Sequence, residues 1–132
     1  MRIRGIGLVI LLLAGTARLA QAQGADTSAK VGAAPDSSLL TPAVIDQGRK
    51  IFHGQGNCYA CHGDKLEGGP IAPPLKGPSW RHIDGTYDAI IHRIDEGMPG
   101  TAMVSHPGGI SESQVLIVAT YIYAVSHGLA KP

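Results

Sequence analysis

Cys58-Tyr59-Ala60-Cys61-His62 places two thiols three residues apart, with a histidine directly behind the second. On one helical turn residues i and i+3 project to the same side. Both sulfurs can therefore form thioethers with the two vinyl groups of one porphyrin edge, and His62 stands beside the ring face as the proximal iron ligand. The spacing is the signature of covalent haem attachment. Cys-x-x-Cys also serves as a redox dithiol, as half of a zinc site or as a plain disulfide. A structural zinc site takes four ligands and the chain has only two cysteines. A thioredoxin-like dithiol needs a strand-helix-strand setting that the sequence does not display. One covalent haem through Cys58 and Cys61 is expected, with the redox dithiol as the alternative.

Upstream of the motif, Arg2 and Arg4 form a short basic region, Ile6 to Ala14 is an apolar run, and Ala20-Gln21-Ala22 offers small residues at a peptidase site. Residues 1–22 are thus expected to be a secretory signal. The competing reading is an uncleaved inner-membrane anchor, since Ile3 to Ala20 is 18 residues long. Arg18 and the Ala-x-Ala site argue against it, because a spanning helix needs about 20 mostly apolar residues. Export to a bacterial periplasm suits a motif whose thiols must be reduced when the haem is attached. Residues 23–40 are rich in Ala, Ser, Gly and Asp without apolar periodicity, the composition of a flexible leader.

Residues 41–132 remain for one small domain. The full chain carries a formal net charge of +1, and removing the three arginines of the signal leaves eight basic against ten acidic residues, so nothing points to nucleic acid. A domain of this size is marginal on its own core. A buried porphyrin would supply apolar mass as well as chemistry.

Three helices are expected downstream of residue 40. Thr41 and Pro42 start the first and Gly54 stops it, with Val44, Ile45, Gly48, Ile51 and Phe52 on one face. Gly48 inside that helix costs about 1 kcal/mol relative to alanine; either another helix crosses closely there or the glycine is merely tolerated. Thr86 and Gly97 bound the second, with Ile90, Ile91 and Ile94 buried and Asp88, His92, Arg93, Asp95 and Glu96 on a solvated face. Ser111 with Gln114 forms a capping box for the third, in which Val115, Val118, Ala119, Ile122 and Val125 recur at helical spacing until Gly128. The domain is all-α.

The glycines and prolines between His62 and Trp80 require a long loop. Such a loop is uncommon in a compact domain unless it does something. A metal-bound histidine usually donates its other ring N–H to a carbonyl or carboxylate, and Pro73-Pro74-Leu75 is stiff enough to present one. Pro73 is the candidate acceptor and Leu75 a candidate for packing on the ring; the alternative is that these prolines only stiffen a turn.

Gly48 with Phe52, Cys-Tyr-Ala-Cys-His-Gly, Pro-Pro-Leu, the stretch from Gly97 to Met103, and Ala119-Thr-Tyr-Ile together resemble a class I cytochrome c, the small monohaem electron-transfer fold. The resemblance spans Thr41 to Leu129. It implies three main helices with long irregular loops around one covalent haem, Tyr121 packed on Gly48 and Phe52, and a Pro73 carbonyl bound to His62. Trp80, Gly85 and Gly-x-x-Gly-Thr-x-Met are similar to stand-alone periplasmic cytochromes and to haem domains attached to dehydrogenases or oxidases.

The resemblance also implies a methionine as the sixth iron ligand. Met98 is followed by Pro99, the usual dipeptide, whereas Met103 is followed by Val104. Spacing favours Met103: it lies eight residues before Ser111, as in the family, and Met98 lies thirteen. Met98, or a histidine such as His106 or His82, is the alternative. Without the Met-Pro proline, which restricts the residue before it, the ligand loop is expected to be softer. The function implied is one-electron transfer between redox protein partners, such as a membrane oxidase or a periplasmic dehydrogenase, by a monomer or a complex subunit. A haem enzyme or gas sensor with a displaceable distal ligand is the remaining alternative; enzymic chemistry would want a distal acid-base group, for which only His106 is suitably placed in sequence.

Overall fold

Thr41 sits extended at φ −92°, ψ 150°, and its hydroxyl accepts from the Val44 N–H at 3.3 Å. Pro42 follows where no N–H is needed, and helix α1 runs Pro42–His53. In this computed structural model, which describes Gly32 and residues 34–132, three more helices follow: α2 (Tyr59–His62), α3 (Tyr87–Glu96) and α4 (Glu112–Ser126). Helix α2 is the single turn that carries the Cys-x-x-Cys-His motif. Among the described residues there is no strand, and no helix is long and apolar enough to cross a membrane. The expected signal segment, 1–22, and the leader as far as residue 31 lie outside the described residues.

Helix α4 is the centre of the packing, with α1 on one side and α3 on the other. Its start is fixed by both halves of a capping box, Ser111 Oγ accepting from Gln114 N–H at 3.3 Å and Gln114 Oε1 from Ser111 N–H at 2.9 Å. The crossing with α1 falls on Gly48. A β-carbon there would lie 2.5 Å from Ile117 O and 2.6 Å from Tyr121 Cβ, so only glycine lets the two backbones approach. Phe52 and Tyr121, both fully buried, meet edge to face at 5.6 Å. Such a pair contributes about 0.5–1.5 kcal/mol beyond its buried area, which offsets the intrinsic cost of the helical glycine.

Helix α3 buries Ile90, Ile91 and Ile94, and its Tyr87 hydroxyl donates to Leu116 O at 3.0 Å, tying it to α4. Its outer face departs only in part from the solvated surface expected, since His92 and Glu96 are exposed. Arg93 Nη1 donates to Gly97 O at 3.0 Å, and Asp95 is half-buried, because the chain beyond Gly97 folds back along the last turn. A second departure lies at the N-terminal edge. Within the expected leader, Pro35 is buried, Leu39 packs against the core, and Asp88 N–H donates to Gly32 O at 3.1 Å. Two apolar side chains and a turn around Asp36 are enough to order this stretch despite its polar composition.

Candidate functional site

Helix α2, the loop after it, α3 and the 98–103 loop enclose a cleft of about 420 Å³. Cys58, Cys61 and His62 line it together. Both thiols are free and partly buried. Burial pushes the Cys58 thiol up to about 11, the reverse of the lowered pKa that thiol exchange needs. Among the described residues no group of three or more His, Cys, Asp or Glu side chains could hold a metal, so a zinc site has no donor set there.

His62 is 8 % exposed, and its Nδ1 lies 2.9 Å from Pro73 O. Nδ1–H donates to that carbonyl, which fixes the tautomer and leaves the Nε2 lone pair free. Burial holds the imidazole below its ordinary range, against the opposing influence of the Pro73 hydrogen bond, and so favours the neutral, ligating form. The loop that brings Pro73 here is pinned by Gly68 N–H to His62 O at 2.7 Å and Leu75 N–H to Leu66 O at 2.9 Å. Leu66 is fully buried beneath it, and Leu75 borders the cleft.

Met98 and Met103 both border the same cleft. Their backbones are joined by Met98 N–H to Met103 O at 2.8 Å, and Thr101 Oγ1 accepts from Met103 N–H at 3.1 Å. Met103 packs against the core, a contact Met98 does not share. Gly97 makes the loop possible. It stands at φ 67°, ψ −158°, and a β-carbon would come within 2.6 Å of Met103 O and of Ser105 N.

A planar, largely apolar ring bearing two vinyl-derived attachment points suits this donor set: two thiols on one turn, a neutral imidazole with a free Nε2, and thioethers across the gap. His106 does not border the cleft; it turns outward to Ser105 and Asp95. This removes it from the position of a distal ligand or acid-base group. His82 is at the rim and exposed. Sequence reasoning missed Arg93, Trp80 and Ile83 as cleft residues. For Arg93 a signal was present, since a cation in the last turn of a helix finds the terminal carbonyls; for Ile83 there was none.

Comparison with known proteins adds three findings. The family described as cytochrome C oxidase, cbb3-type, subunit III matches residues 43–122. The crystal structure of cytochrome cL from Hyphomicrobium denitrificans is similar over 69% of this chain and 62% of that one, at 23% identity and a TM-score of 0.52, a likeness of fold. The chain therefore spans less than two thirds of cytochrome cL. A c-type cytochrome NirC is matched over 74% of this chain and all of that one at 21% identity and a TM-score of 0.45.

Proposed function

We propose, because this chain belongs to the family of cytochrome C oxidase, cbb3-type, subunit III, that its domain is a one-electron transfer unit and not itself an enzyme. The fold is that of a class I cytochrome c, and the chain carries one haem c through Cys58 and Cys61. When bound, that group supplies an Fe(II)/Fe(III) couple. The observation that carries the reading is the convergence, in one largely apolar cleft, of both thiols and a buried neutral His62 whose Nδ1 is held by Pro73 O at 2.9 Å.

His62 Nε2 and the Met103 sulfur would hold the iron of that group. Met103's packing against the core and its eight-residue distance from Ser111 support this choice over Met98. A thioether there raises the reduction potential relative to a second nitrogen. Leu75 shields the proximal side. Ile71 and Val104, 71% and 60% exposed, flank the cleft and suit a brief, weak meeting with a redox protein. A permanent place in an oxidase or dehydrogenase complex is the second reading, favoured by the family's description as an oxidase subunit. Residues 1–22 direct the chain to the periplasm and are removed there.

The ferric absorption spectrum tests the assignment. Its weak far-red sulfur-to-iron band is expected to vanish in Met103→Ala and persist in Met98→Ala; the opposite pattern overturns it. The intact mass is expected to equal residues 23–132 plus one haem.

A further inference from the structure

Met103 is followed by Val104, so the ligand segment lacks the proline that would confine the residue before it to extended backbone. Val104 is exposed and supplies no replacement. The next two residues are bound to the end of α3. The Ser105 hydroxyl donates to Asp95 O, and His106 N–H donates to Ile94 O at 3.0 Å. Both acceptors are last-turn carbonyls that have no partner within the helix. The His106 side chain joins the same contact. Its Nδ1 is 2.9 Å from Ser105 Oγ, and its Nε2 is 3.3 Å from Asp95 Oδ1, an ion-pair distance without the alignment of a hydrogen bond.

His106 also stands at φ 45°, ψ 62°, a left-handed conformation that a residue with a side chain adopts only where its surroundings hold it. On the other side of Val104, Met103 O accepts from Met98 N–H. The Met103 backbone is thus gripped on both sides, by its own loop in front and by α3 behind.

We propose that Ser105 and His106 are positioning residues that latch the Met103 segment to the C-terminal end of α3 and so supply the restraint the missing proline would give. The proposal rests on Met103 as the distal ligand. The ligand side chain has no second polar group by which it could be held, so its sulfur stays where its backbone keeps it. Releasing the latch raises the frequency with which the loop swings out, without removing the sulfur.

The test uses the ferric holoprotein and added imidazole, with the rate at which the far-red band disappears as the readout. Losing the Ser105 hydroxyl bond to α3 together with the His106–Asp95 contact corresponds to a rate about tenfold or more above wild type for Ser105→Ala/His106→Gln. Ser105→Ala alone is expected to give about fivefold, since of the two bonds its hydroxyl makes only the one to Asp95 O, about 1 kcal/mol, reaches α3, and it decides the matter if the double variant yields no holoprotein. Ser105→Thr, which keeps the hydroxyl, and Val104→Pro placed in the double variant are both expected to return the rate towards wild type. A merely structural role would not show that rescue. Unchanged rates in the Ser105→Ala and double variants overturn the latch. If instead Met103→Ala keeps the band, the ligand assignment has failed and not the latch alone.

Discussion

Of the two side chains proposed as iron ligands, His62 is held by its own functional group. His62 ends the helical turn that carries the two cysteines, and its Nδ1 is tied to Pro73 O at 2.9 Å. The other, Met103, has no second polar group by which its side chain could be held. Met103 is placed by its packing against the core and through its backbone, by Met98 N–H and Thr101 Oγ1 in the loop and by α3 through Ser105 and His106. The difference follows from chemistry. An imidazole has a second nitrogen that a carbonyl can capture, whereas a thioether is a weak acceptor with nothing else to hold. The orientation of His62 is therefore set at its own ring, and that of Met103 by the scaffold.

If this is so, the two sides break differently. His62→Ala carries the largest expected effect: the iron loses its proximal nitrogen, and any haem protein recovered is expected to show no low-spin spectrum with the far-red band. A variant with the wild-type spectrum would sink the proximal assignment. On the distal side a backbone change away from the ligand is expected to suffice. Gly97→Ala forces a side chain into a conformation reserved almost wholly for glycine and against Met103 O, at a cost of about 2–3 kcal/mol. That corresponds to a thermal midpoint lower by about 10 °C or more. The far-red band is expected to weaken while the haem stays attached through its thioethers; an unchanged band would show that the distal side does not depend on the scaffold.

How much of this was legible beforehand follows the same division. Caps such as Thr41 with Pro42 and Ser111 with Gln114 are written in neighbouring residues, as is the attachment turn, so helix ends and the motif could be read directly. Helical periodicity alone left Gly48 an oddity; the family resemblance implied Tyr121 as its packing partner, and the crossing adds the close approach to Ile117 O. Pro-Pro-Leu signalled a stiff carbonyl and the resemblance named Pro73 as the partner of His62, a contact the folded loop makes at 2.9 Å. Arg93 and Asp95 were assigned to solvent because helical periodicity cannot show that the chain after Gly97 returns along that face. Ser105 looks like any surface serine, since its value lies in which unpaired carbonyl it reaches. Residues 34–40 were assigned to the leader on composition, although Pro35 and Leu39 alone tie them to the domain.

The smallest expected effect concerns how α3, which carries the distal support, is itself begun. Asp84 Oδ1 accepts from Thr86 N–H at 3.0 Å and from its hydroxyl at 2.7 Å, while Thr86 Oγ1 accepts from Ala89 N–H at 3.3 Å. The Thr86 backbone hydrogen bond, then the hydroxyl, holds the Asp84 carboxyl below its ordinary range. A carboxyl whose folded pKa is depressed stabilises the fold fully above its unfolded value of about 3.9, and loses that contribution as pH falls through the lower folded value. Asp84→Asn is thus expected to lower the thermal midpoint slightly at neutral pH, with the difference from wild type shrinking as the pH is brought below that range. The carboxyl is exposed, and screening keeps the effect small. If the far-red band follows the midpoint in this series, support for the distal ligand extends to the first turn of α3; if only the midpoint moves, it resides in the last turn, where Ile94 O and Asp95 O receive the ligand segment.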